Sequence, residues 1–195
     1  MIVIKKFTLG YDRLQDRISL AARGAQGEVV LLWLTQRLLI RLVRALLQRL
    51  DKELEGAVAV GSLSETGTPA SGAVPAAPQR NRPVQAGILP QLHALEQSAA
   101  QSVLKPERPV QPAAQAEEHL LTTIELGSNP KGHVIVCRWS AEEAAQLVMD
   151  SIQLRQFMGM LYRVFGSAEW PRTSWPDWFS ADSADDTAAA PVVLH

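Results

Sequence analysis

Arg37, Arg41 and Arg44, with Arg49 and Lys52 close behind, recur at three- or four-residue spacing, which puts several guanidinium groups on one face of a helix. Such a face can meet phosphates or a carboxylate-rich surface, and it can equally be the solvated side that every amphipathic helix needs. The acidic residues Asp177, Asp182, Asp185 and Asp186 near the other end of the chain offer those arginines an internal partner as well.

Trp170, Trp175, Trp178 and Phe179 form a second cluster, punctuated by the pairs Trp170-Pro171 and Trp175-Pro176. The prolines exclude a regular helix or central strand, so the rings sit on an extended or turn-like segment. Large aromatics on a pre-stiffened backbone make good anchors for a partner's pockets. The same run could instead wrap back over the chain's own core.

Elsewhere the residue types for catalysis are present without their spacing. His93, His119, His133 and His195 include no pair at i, i+4, and no second cysteine joins Cys137. His119 and His133 could face each other across a hairpin, which is thin as a metal site. Cys137 lies in the apolar run Val134–Cys137, where a thiol is a small core residue rather than a nucleophile. Glu142 and Glu143 are adjacent, so on a helix they point about 100° apart and do not form an acid–base pair. No glycine-rich phosphate loop occurs. The expectation is a non-enzyme with no metal and no cofactor.

These residues must be held by a modest core. Of 195 residues 47% are apolar, but only 6% are aromatic and alanine is heavily used, so the burial available is less than the first figure suggests. A formal charge of −1 gives no global field toward nucleic acid or membrane. The N-terminus, Met1–Lys6, has its charges after its apolar residues, the reverse of a signal peptide, and arginines from position 37 onward interrupt the best apolar stretch. A cytoplasmic protein without a membrane partner is expected.

The run Val29–Thr35 reads as a buried strand that enters an amphipathic helix over 36–54 almost without a loop, with Thr35 as N-cap. Residues 2–11 and 17–22 read as two further strands. Residues 56–116 are rich in Pro, Ala, Gly, Ser and Gln and read as a disordered linker. A short helix at 90–104 has an apolar stripe at 88, 92, 95, 99 and 103; alone it is marginal, so it is either transient or docked. Strands at 119–126 and 133–139 follow. Ser140 and Glu143 have the spacing of a capping box, predicting a helix from there to Phe165 with Gly166 as its C′ residue.

Superposing Thr35 on Ser140 pairs Gly27 with Gly132, Val29 with Val134 and Leu42 with Leu147, which suggests an internal repeat. The predicted fold is α+β: a small antiparallel sheet from two hairpin–helix (ββα-like) units with two main helices on one face. The units would cover 1–55 and 117–166, joined by the 56–116 linker and followed by a Trp-Pro-rich segment and acidic tail over 167–195. Units from two chains pairing as a homodimer is the alternative arrangement. The function expected is a protein-binding accessory, assembly or adaptor factor using Trp170, Trp175, Trp178 and Phe179. The alternative is a single-stranded nucleic-acid binder using Arg37, Arg41 and Arg44, against which the overall negative charge stands.

Overall fold

The computed structural model describes residues 1–63, 82–112, 116–179 and 193–194. Strands β1 (Ile2–Asp12), β2 (Arg17–Gly24) and β3 (Val29–Leu34) form an antiparallel meander that leads into α1 (Gln36–Leu63). Helix α2 (Arg82–Ser102) comes next, then β4 (Glu117–Leu120), β5 (Thr123–Asn129), β6 (Gly132–Arg138), β7 (Ala144–Met149) and α3 (Ser151–Ser167). The sheet is mixed and strongly curled, in the order β4-β3-β2-β1-β7-β6-β5, and a two-residue strand β8 (Val193–Leu194) adds to β1.

The first unit is therefore βββα, not hairpin–helix, β4 and β5 of the second together stand where β1 stands in the first, and the sheet is not purely antiparallel. Ile2, Val29 and Gln36 begin β1, β3 and α1; Glu117, Ala144 and Ser151, each 115 residues further on, begin β4, β7 and α3. At this offset core residues fall on core residues: Leu32 on Leu147, Leu39 on Leu154, Val43 on Met158, Leu46 on Leu161 and Leu50 on Phe165. The repeat is real in the architecture, but the superposition of Thr35 on Ser140 is displaced by one strand.

The error has a local cause. Ser140 and Glu143 do make one hydrogen bond of the capping type, the Glu143 amide donating to Ser140 Oγ at 3.0 Å, and Ser140 Oγ donates in turn to Glu143 Oε2 at 3.3 Å. Here they close a turn between β6 and β7. Residues 144–149 then alternate, Ala145, Leu147 and Met149 inward against Gln146 and Val148 outward, and period two wins. Asp150 is the actual N-cap of α3, in a reciprocal box with Gln153. At its far end α3 closes in a Schellman motif, with the Trp170 amide donating to Phe165 O and the Glu169 amide to Gly166 O, both at 3.0 Å. The left-handed C′ residue is Glu169, at φ 55°, not Gly166. Glu169→Gly is expected to raise stability by about 1 kcal/mol by removing the Cβ penalty there, seen as a higher urea midpoint.

The units exchange their first strands. Ile2 and Val3 of β1 pair in parallel with Ala145 and Gln146 of β7, while β4 pairs in parallel with Val30–Trp33 of β3. A register shift between Ile4 and Lys6 bends β1, so that both Ile4 and Phe7 face the core. Between β4 and β5 the chain passes from one neighbour to the other: Leu121 N donates to Trp33 O and Thr122 N to Arg138 O, each at 2.9 Å. The two ends of the sheet thus meet. At the other end of β6, Gly132, at φ 127°, forms the β5–β6 turn where a Cβ would lie 2.3 Å from Met149 O of β7.

Both α1 and α3 bury their apolar stripes in one core with the inward residues of the strands, including Ile18, Leu20, Leu32 and Ile135. Thr35 caps α1 as expected, its Oγ1 accepting from the Leu38 amide at 3.3 Å. The segment expected to be a disordered linker is structured where it is described. Helix α1 runs on to Leu63, and α2 is a 21-residue helix. Beyond α2, Val110 lies buried on the outer face of the sheet against Ala21 and Leu31, its amide donating to Thr8 Oγ1 at 2.8 Å. Residues 64–81 and 113–115, also within that expectation, lie outside the described residues, as do Asp182, Asp185 and Asp186.

Candidate functional site

The Trp-Pro run wraps back onto the core. Trp170, Trp175 and Phe179 are buried, and Trp178 is half-buried. Trp170 packs edge-on against Phe165 and Tyr11, and its indole N–H donates to Asp16 Oδ1 at 2.8 Å. That bond and one from the Tyr11 hydroxyl hold the Asp16 carboxyl below its ordinary range, while the same contact raises Tyr11. Trp178 stacks on His93, with ring centroids 4.9 Å apart. Arg37, Arg41 and Arg44 are exposed on α1, and only Arg44 reaches toward this run, donating to Ser174 Oγ at 3.1 Å. Arg49 instead donates to Gly127 O at 2.6 Å. The aromatic cluster and the arginine row do not form one site.

The structure does not bring His119 and His133 together. Opposite His133 in the β5–β6 ladder is Ser128, and His133 pairs with Glu53 of α1 at 3.4 Å; His119 stacks on Trp139. Among the described residues no three His, Cys, Asp or Glu side chains converge as metal ligands would. Burial pushes the Cys137 thiol up to about 12, which leaves no thiolate at neutral pH.

The arrangement least expected from sequence is the docking of α2. Its apolar stripe does not face the protein: Ile88, Leu95 and Val103 are 45%, 67% and 58% exposed. Instead the adjacent polar face, His93, Gln97 and Gln101, lies on α3. Gln97 Nε2 and Gln101 Nε2 both donate to Arg155 O, at 2.9 and 3.2 Å, and Gln156 Nε2 donates to Ala100 O at 2.9 Å. Gly159 makes the approach close, because a Cβ there would lie 2.4 Å from Gln101 Nε2.

Under this interface the Arg155 side chain is buried and paired to Glu96. His93 fits between charged neighbours as a neutral ring: Nε2–H donates to Asp51 Oδ1 at 3.0 Å and Nδ1 accepts from Arg155 Nη2 at 3.3 Å. Burial first, then the Arg155 charge, holds the His93 pKa below its ordinary 6.5, outweighing Asp51 and Glu96. The unfolded chain therefore takes up this proton first as pH falls. Stability from His93 is fully present above about pH 6.5 and is lost as pH drops through the lower folded value. Urea unfolding from pH 8 to pH 5 should show this loss, and His93→Gln should flatten that part of the profile.

Between α1, α2 and α3 a groove of about 480 Å³ opens, within the usual range of binding pockets. Leu54 and Ala57 of α1, Ala99 of α2 with Val103 just beyond it, and Ile152 of α3 supply apolar walls. Glu53, Glu96 and Arg155 supply charge. Arg155 Nη1 is a buried donor with no acceptor among the described residues. The apolar stripe of α2 is visible in the sequence; that it stays outside is not, because only the contacts with α3 decide which face docks.

No family model, curated protein or solved structure matches this chain. Among the described residues no helix is long and apolar enough to cross a membrane.

Proposed function

We propose that this protein is a non-catalytic, protein-binding accessory or adaptor factor of the cytoplasm that engages its partner through the α1–α2–α3 groove. The observation that supports it is the outward apolar stripe of α2 beside a groove with exposed Ile152. A helix that turns its polar side inward and leaves leucine, isoleucine and valine in water has apolar surface to bury elsewhere. The Trp-Pro run, first considered as the anchor, serves in this reading as a strap whose Trp178 backs His93 and so steadies α2.

Tagged full-length protein carrying Leu95→Asp and Val103→Asp, beside wild type in the native host, tests this. A stoichiometric partner, rebuilt with wild type from purified components and lost only in the folded variant, is expected. Retention by the variant overturns the groove as the site.

A second reading, single-stranded nucleic-acid binding, draws on the exposed Arg37 and Arg41. It requires polynucleotide affinity that falls steeply with salt and with Arg37→Ala and Arg41→Ala.

A further inference from the structure

We infer that the groove takes a partner helix carrying lysine or arginine among its apolar residues. This rests on the docking function above and adds the chemistry of the occupant. Among the described residues two carboxylates, Glu53 on the α1 wall and Glu96 on the α2 wall, line the groove, and Arg155 is the one cation that lines it. Asp51 and Glu55 are exposed on the same stretch of α1, with Lys52 alone opposing them. The existing partners do not exhaust the carboxylates. Glu53 accepts from Ser151 Oγ at 2.5 Å and faces His133, and Glu96 pairs with Arg155, but each carboxylate has about four lone-pair directions. A cation entering between apolar walls would meet both, while an acidic segment would add a third carboxylate to two.

Alternative occupants fit less well. A fatty-acid-like anion has the wrong charge for Glu53 and Glu96. Residues 64–81 of this chain contain one arginine, Arg80, and one valine, Val74, too little of either feature. A second copy offers the arginine row of α1, but the apolar residues beside that row, Leu39, Leu42 and Val43, are already buried in its own core. A separate amphipathic helix presents both features together.

The test is fluorescence anisotropy of the full-length chain with a labelled amphipathic peptide of leucine, alanine and lysine, and with the same peptide bearing glutamate for every lysine. The lysine peptide should bind at least about tenfold more tightly than the glutamate peptide. Glu53→Gln and Ile152→Asn, both at exposed side chains, should each weaken it. Tighter binding of the glutamate peptide overturns the assigned charge and leaves the groove as a docking site. Affinity indifferent to Ile152→Asn means diffuse surface attraction and removes the proposal. If neither peptide binds while a native partner is still lost on Leu95→Asp, the inferred chemistry fails and the docking function stands.

Discussion

Trp175→Ala is expected to cost the fold about 3–5 kcal/mol, a large part of the 5–15 kcal/mol that holds a typical domain together. Trp175 is 8% exposed and stands edge-on to three rings, with centroids 5.2 Å from Tyr162, 5.6 Å from Phe165 and 4.8 Å from Phe179. Phe165 is fully buried on α3, so truncating the indole leaves a cavity against the central helix, where the backbone is least able to collapse. Urea unfolding should show a lower midpoint with unchanged slope. A change below about 0.5 kcal/mol would mean that the ring is not part of the core and would return it to the candidates for partner contact. By the same packing, deleting residues 169–179 should unfold the protein, because Trp170 and Phe179 leave with Trp175.

Arg155→Met is expected to cost about 2–3 kcal/mol, and to express it at one helix. Methionine keeps much of the volume and removes the charge, so packing is largely preserved. Breaking a buried ion pair costs about 3–5 kcal/mol when the remaining charge is trapped; Glu96 has a side chain 45% exposed and can turn to water, which lowers the figure. What stays behind is the His93 Nδ1 acceptor, now without its donor. Amide hydrogen exchange should find α2 losing protection well before α1 or the strands. Unchanged protection across α2 would show that Gln97, Gln101 and Gln156 hold the helix by themselves.

The first unit was legible except for the end of α1, which runs to Leu63 instead of stopping near 54, because its signals agree at every level. The Val29–Leu34 run, the Thr35 cap and the apolar stripe of α1 each have one interpretation, and tertiary contacts did not need to arbitrate. The second unit misled because the Glu143 amide donates to Ser140 Oγ in this turn as it would in a helix cap. Only the alternation after them separates the two cases, and six residues of Ala, Gln, Leu, Val and Met also suit a helix. For the site, Cys137 is buried as its apolar run suggests, whereas Glu142 and Glu143 lie in a turn and not on the helix their spacing was read against. Arg155, His93 and Glu96 could not be found, since a polar trio 62 residues apart at its extremes acquires meaning only when α2 lies on α3. The Trp-Pro run carried both of its interpretations in the sequence, and burial is a property of what surrounds it.

The exchange of first strands has a consequence for synthesis. As the chain leaves the ribosome, β1, β2 and β3 can form their meander early, but the two free edges of that meander wait for residues far downstream. The outer edge of β3 must await Glu117–Leu120, and the start of β1 must await Ala145 and Gln146. At about 5–20 residues per second the nascent protein spends several seconds as an incomplete sheet with unpaired backbone on both sides. Cells expressing this chain rapidly should therefore place a heavier demand on the chaperones that shield emerging strands than a protein of its size with sequentially completed sheets would.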